Sequence, residues 1–375
     1  MASINELLEG FTTAASNPTS VLDAHIAAGK TVVGVGPYYI PEELVYAAGA
    51  VPFGVWGRIG TASEARKYFA PFYCSICQMT LEMGLNHELD KLSALMVSGL
   101  CDTLRGFSQN FRVGVTQVPM IFVSQPQNRA TDAGRAYALE SYTDVKRQVG
   151  EACSTIIGND ELSAAIKLYN SWRAEMRRFL ALAGQRPSLV SVAQRSDVVS
   201  AGYYMDKADH LEKLRKLNGL LEAEAADLAG RKPVVLSGIH YDIPALKAML
   251  DEQGFAVVAD DVARESRALQ IQVSEEGDPT AALADAYCRT GNDSILYDAS
   301  KGHVSHVVQL AEDNGAAGVI LFLAKFCDPE EFDAPIVIKA CKEAGVPIVQ
   351  IEVDQSTETY EQARTQLETF ADLIG

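Results

Sequence analysis

One pattern occurs twice in this chain and leaves little freedom for its fold. Lys30 to Gly36 is a β-branched run ending in glycine, as a buried strand entering a turn does. Pro41-Glu42-Glu43 then opens a helical stretch through Leu44, Ala47 and Ala48, with proline and acids where a first turn favours them and Gly49 as a stop. The same order returns at Pro233 to Gly238, with a helix opened by Pro244, then Gly254 and a strand from Phe255 to Ala259. In each half a later apolar strand ends in Cys-Asp: Leu92 to Leu100 delivers Cys101-Asp102, and Gly315 to Leu323 delivers Cys327-Asp328. Short strands are also expected at Val51 to Gly57, Val118 to Val123 and Val346 to Val353, the last before a C-terminal helix.

Between these halves the texture is helical. Leu162, Ala165, Ile166, Tyr169, Trp172, Met176, Phe179 and Leu180 recur at three- and four-residue spacing and share one helix face, and Leu211 to Leu228 reads as a second, charge-rich helix. The expectation is an α/β protein of two similar, open, mostly parallel sheets of Rossmann or flavodoxin type. Its divisions are an N-terminal α/β domain over 1–140, a helical connecting domain over 141–230 and a C-terminal α/β domain over 231–375. Facing sheets would set both Cys-Asp turns across one cleft at the carboxyl ends of the strands, where open α/β sheets bind ligands.

Charge and hydropathy exclude several functions. The formal charge of −17 would repel a phosphate backbone, and no Lys/Arg cluster interrupts it. The longest apolar stretch, Ala316 to Ala324, is about half of the roughly 20 residues needed to span a bilayer, and the N-terminus has no basic region followed by an apolar core. A cytoplasmic chain without nucleic-acid or membrane partners is expected. Gly34-Val35-Gly36 lacks the third glycine of a dinucleotide fingerprint, and no Gly-Lys-Ser/Thr phosphate loop occurs, so any ATP dependence belongs to a partner.

Seven cysteines, an odd number, argue for metal-binding, catalytic or buried thiols over a disulfide framework. Cys153, Cys288 and Cys341 lie in helical runs and read as fillers. Cys74, Cys101 and Cys327 are the candidate ligands of a metal or iron–sulfur site, with Cys77 a neighbour or reserve. Three thiolates leave one iron of a cubane open, as substrate binding or Lewis-acid chemistry requires. Zinc with a fourth ligand is the alternative, less attractive without a His at ligand spacing. The six histidines, His303 and His306 among them, are assigned surface or capping roles, and the acidic pairs Asp260-Asp261 and Glu330-Glu331 are read as solvated element ends.

A resemblance then becomes specific. Gly36-Pro37-Tyr38-Tyr39-Ile40-Pro41-Glu42-Glu43-Leu44-Val45-Tyr46, Val55-Trp56-Gly57, Phe72-Tyr73-Cys74-Ser75-Ile76, Cys101-Asp102-Thr103-Leu104, Gln109-Asn110-Phe111, Pro126-Gln127-Asn128-Arg129 and Lys325-Phe326-Cys327-Asp328-Pro329-Glu330-Glu331 follow in the order of the 2-hydroxyacyl-CoA dehydratase family, which includes benzoyl-CoA reductase subunits. The resemblance covers nearly the whole chain. Within the family the wording is most similar to the beta subunits acting on (R)-2-hydroxyglutaryl-CoA. What it implies is a heterodimer with a related alpha subunit, a [4Fe–4S] cluster on Cys74, Cys101 and Cys327, and a separate ATP-hydrolysing iron–sulfur activator protein. It also implies an acyl-CoA substrate dehydrated to an (E)-2-enoyl-CoA through a ketyl radical, with room for FMN in the complex. Gln125 stands where several relatives carry His. The rival readings are an acyl-CoA or double-cubane reductase of the same broad family and a non-enzymatic metal-binding interaction subunit.

Overall fold

The computed structural model describes residues 3–357 and 359–375. Two helices, α1 (Ile4–Ser16) and α2 (Pro18–Ala27), precede the first α/β unit of β1 (Val32–Gly36), α3 (Glu42–Ala47), β2 (Val51–Gly54), α4 (Ser75–Leu85), β3 (Ala94–Ser98), α5 (Asp102–Gly114) and β4 (Met120–Val123). Four long helices follow: α6 (Asp132–Ala152), α7 (Asn159–Gly184), α8 (Val192–Tyr204) and α9 (Lys207–Glu222). The second unit comprises β5 (Lys232–Gly238), α10 (Pro244–Glu252), β6 (Phe255–Val262), α11 (Pro279–Arg289), α12 (Gly302–Asp313), β7 (Gly318–Ala324), α13 (Asp328–Glu343), β8 (Ile348–Val353) and α14 (Glu361–Leu373).

Both sheets are parallel and have the same order, β2-β1-β3-β4 and β6-β5-β7-β8. The expected pair of open α/β sheets is therefore present, and the repeated sequence pattern gives a repeated topology. In each sheet the chain reverses its direction of growth between the first and third strands, which opens a crevice at their carboxyl ends. Cys101 and Cys327 each follow the third strand of their sheet, at that crevice.

The second sheet shows why continuous apolar runs make its strands. Successive side chains point to opposite faces. Val234 and Leu236 pack with Leu246, Leu250, Leu367 and Phe370 of α10 and α14. Val235, between them, packs with Val304, Val307, Val337 and Cys341 of α12 and α13. A strand covered on both faces needs apolar residues at every position.

Local boundaries differ from the sequence expectation. The helical segment starts at Asp132, where Thr131 caps it by accepting the Gly134 N–H, and not at 141. The helix expected over Leu211 to Leu228 runs from Lys207 to Glu222: Asp206 caps its start, and the buried face of Leu211, Leu214, Leu217 and Leu221 ends with Leu221. The unexpected α1 has a capping box between Ser3 and Glu6 and buries Leu8 and Phe11. No helix among the described residues is long and apolar enough to cross a membrane.

Candidate cysteine site

Three helix starts carry the three candidate cysteines. Cys74 is the N-cap of α4, Cys101 of α5 and Cys327 of α13. A helix N-terminus presents unpaired N–H groups and the positive end of the helix dipole, so each sulfur sits where negative charge is favoured. The Cys101 Sγ accepts the Leu104 N–H at 3.5 Å. The fold brings the three together: the charge of Cys74 acts on Cys101, and those of Cys74 and Cys101 act on Cys327. Cys77, one turn inside α4, feels all three.

The thiols are not equivalent. The neighbouring Cys77 thiol lowers the pKa of Cys74; burial works against this, while backbone N–H groups at the start of α4 assist it. Cys77 itself is pushed well up by its proximity to Cys74 and by burial. Burial, with the charge of Cys74, pushes Cys101 up to about 12. Burial and then the Glu330 carboxylate push Cys327 well above the ordinary thiol range. A cation bound by such thiols displaces their protons, which links metal binding to deprotonation. Among the described residues, no group of three or more His, Cys, Asp or Glu is already arranged to hold a single metal ion. Cys153 ends α6, Cys288 lies within α11, and Cys341 packs against the second sheet.

The segments carrying Cys74 and Cys101 are tied to the opposite half of the chain. Ser75, next to Cys74, accepts the Gln355 N–H at 3.1 Å, and the Gln355 side chain donates to Trp56 O at 2.8 Å. Gln127 donates to Leu100 O, next to Cys101, and its Oε1 accepts the Tyr297 N–H at 3.0 Å. Gln125 is a buried strut whose Nε2 donates to Tyr39 O at 2.7 Å and to the Tyr142 hydroxyl at 3.2 Å.

Beside Cys327 lies a buried polar cluster, which corrects two expectations. Asp260, Asp261 and Glu330 are not solvated ends: all three are buried, and only Glu331 of the two acidic pairs is exposed. Arg267, fully buried, contacts Asp261 at 3.1 Å, Ser294 at 3.0 Å and Glu330 at 3.3 Å. Nor are all the histidines at the surface, since His210, His240 and His303 are buried. The His303 Nε2 meets Asp261 at 2.7 Å. Burial alone would raise Asp261, but Arg267 and His303 hold it down to about 2. Burial pulls His303 down, and Asp261 outweighs it and raises the pKa. Arg267, Asp293 and Ser294 had no sequence signal: a lone buried arginine follows no period, and its partners are scattered along the chain.

A cleft of about 370 Å³ lies beside the segments that carry Cys74 and Cys327. Tyr73 and Ser75, flanking Cys74, and Lys325 and Phe326, preceding Cys327, line it together with Arg66 and Asp354.

Comparison with known proteins is consistent along the whole length. The family model described as "2-hydroxyglutaryl-CoA dehydratase, D-component" matches residues 37–374. The beta subunit of (R)-2-hydroxyglutaryl-CoA dehydratase from Acidaminococcus fermentans is 41% identical, over 99% of this chain and 100% of that one. The (R)-phenyllactyl-CoA dehydratase beta subunit of Clostridium sporogenes is 37% identical over 100% of both chains. A benzoyl-CoA reductase subunit from Thauera aromatica is 25% identical over 92% of this chain and 91% of its own.

Proposed function

Because this chain belongs to the 2-hydroxyglutaryl-CoA dehydratase D-component family, we propose that it is the beta subunit of an iron–sulfur (R)-2-hydroxyacyl-CoA dehydratase, with 2-hydroxyglutaryl-CoA the favoured substrate. Cys74, Cys101 and Cys327 are the proposed ligands of a [4Fe–4S] cluster. What supports the assignment is that the three cysteines each cap a helix N-terminus, two of them after the third strand of their parallel sheets, and that Cys74 and Cys101 lie near enough for their charges to act on Cys327. The donor set fits: three soft sulfur ligands suit iron–sulfur chemistry, and the three N-terminal dipoles offset the negative charge of a thiolate-ligated cluster.

When bound, such a cluster supplies one-electron transfer, which makes possible a reaction that acid–base chemistry cannot easily perform. The β-proton of a 2-hydroxyacyl thioester is barely acidic; one added electron gives a ketyl radical anion that can expel the α-hydroxyl, after which that proton is far more acidic, and the (E)-2-enoyl-CoA forms as the electron is returned. This chain's residues would hold and shield the electron site. Cys77 packs next to Cys74, Leu104 N–H bonds Cys101, and the buried cluster around Arg267 excludes water beside Cys327. Substrate conversion is assigned to the complex with an alpha subunit, and electron supply to an ATP-hydrolysing activator, since this chain has no phosphate loop of its own. Exposed Phe72 and Phe332, on the segments carrying Cys74 and Cys327, support a partner-covered face. FMN is proposed only as a component of the complex.

In anaerobically prepared protein, Cys327→Ala is expected to lose iron and labile sulfide while Cys153→Ala retains both. Full cluster content in Cys327→Ala would overturn the ligand assignment. The benzoyl-CoA reductase relative favours a second reading, an acyl-CoA reductase of the same family, for which a double-cubane cluster is the variant to test. Iron counting per chain, with assay of both dehydration and reduction after addition of an alpha subunit and activator, separates the two.

A further inference from the structure

The two halves of the chain meet through a small set of buried polar bonds. From the first half, the loop after β1 sends the Tyr38 hydroxyl to Asp293 at 3.0 Å and the Tyr39 hydroxyl to the same carboxylate at 2.8 Å. From the second half, Arg267 stands 3.9 Å from Asp293 and 3.3 Å from Glu330. Ser294, adjacent to Asp293, donates to Glu330 as well. Glu330 lies in the first turn of α13, the helix that Cys327 caps. A continuous path of polar contacts therefore runs from the tyrosines of the first half to the helix start that presents Cys327. All its members are buried, so solvent cannot replace a missing partner.

Both elements joined by this path are irregular and need outside support. Tyr39 has a φ of 61° and Phe326, just before Cys327, also has 61°. Non-glycine residues in the left-handed region persist where surrounding contacts fix them. Cys74 and Cys101 lie on the first half and Cys327 on the second, so the spacing of the three sulfurs depends on how the halves are held. Arg267 can bridge several carboxylates at once because its guanidinium offers five fixed donors, a property lysine lacks.

We propose that Arg267 and Asp293 are positioning residues, which hold Cys327 in register with Cys74 and Cys101 by clamping the first turn of α13 to the Tyr38-Tyr39 loop. The inference deepens the iron–sulfur reading and rests on it for its functional meaning, whereas the geometry it asserts can be tested without iron. In the intact metal-free chain, a short bifunctional thiol reagent is used to join Cys101 to Cys327, and the product is quantified by peptide mass spectrometry. The variants are Arg267→Met, Arg267→Lys and the double variant Tyr38→Phe/Tyr39→Phe, the last of which removes only hydroxyl groups and keeps the packing. Each is also reconstituted anaerobically, and its iron content and the electron paramagnetic resonance spectrum of its reduced form are recorded.

The tyrosine pair is expected to keep its circular dichroism spectrum and to form the cross-link at least roughly tenfold more slowly, since a single hydrogen bond to a charged group accounts for about that factor and the variant removes two such donors. Its reconstituted spectrum is expected to change. Arg267→Lys should fall between the native chain and Arg267→Met. If Arg267→Met does not fold, the tyrosine pair decides. A native cross-linking rate and a native spectrum in the folded tyrosine pair would overturn the proposal, even if its melting temperature falls. If the native chain takes up no iron but the cross-link still depends on the clamp, the cluster reading fails and the positioning role stands.

Discussion

At the scale of single residues, the site depends on which groups keep their protons. Cys77 lies inside α4 next to Cys74, and its elevated pKa follows from that neighbour and from burial. It is not one of the proposed ligands, so in Cys77→Ser iron and labile sulfide content should stay at the native level, whereas Cys74→Ser should lose both. His210 shows the same logic far from the thiols. Its Nδ1 accepts the Trp172 indole N–H at 3.1 Å, and its Nε2 lies 3.0 Å from Val198 O, so the neutral ring is fully satisfied. Burial is the main reason that its pKa falls to about 3, with Lys207 and Lys213 adding repulsion. The unfolded chain takes up the proton near the ordinary value of about 6.5. The stabilising contribution of His210 is therefore complete above about pH 6.5 and is lost as the pH falls toward 3. Urea titrations over that window should show a shallower loss of stability in His210→Gln than in the native chain, and parallel curves would refute the assignment. None of this was legible in sequence, where His210 reads as a polar residue on a charged helix.

At the scale of elements, the strands were the most legible feature. A parallel strand buried on both faces must be apolar throughout, so Val32 to Gly36 and Gly318 to Ala324 announce themselves. The glycine that ends the first strand of the second unit also has a structural reason. Gly238 has φ 125°, and a Cβ there would collide with Phe322 O on the paired strand. Gly238→Ala should cost more than roughly 2 kcal/mol, because neither the backbone angle nor the neighbouring carbonyl can yield; thermal unfolding measures it. Leu367 on α14 is fully buried, and Leu367→Ala should cost about 2–5 kcal/mol by the same measurement. Helix boundaries were less legible. A helix ends where its buried face ends, as α9 does at Leu221, and that depends on a partner surface absent from the local pattern.

At the scale of the whole molecule, two sheets of the same topology are joined by buried hydrogen bonds between the halves, several of them beside the cysteines. Ser75→Ala would leave the buried Gln355 N–H without its acceptor and should cost about 1–3 kcal/mol in urea denaturation; it should also speed iron loss to a chelator, since Cys74 is the adjacent residue. The sequence by itself determined the two open parallel sheets and the strand-end placement of Cys101 and Cys327. Those features arise from periodicity, turn residues and capping, whose physics acts within about ten residues of chain. Only the tertiary structure decided that Cys327 lies near enough to Cys74 and Cys101 for their charges to act on it, and that Glu330 is buried against Arg267. These are contacts between residues far apart in the chain, and their strength comes from the loss of water around them, a property no local pattern records.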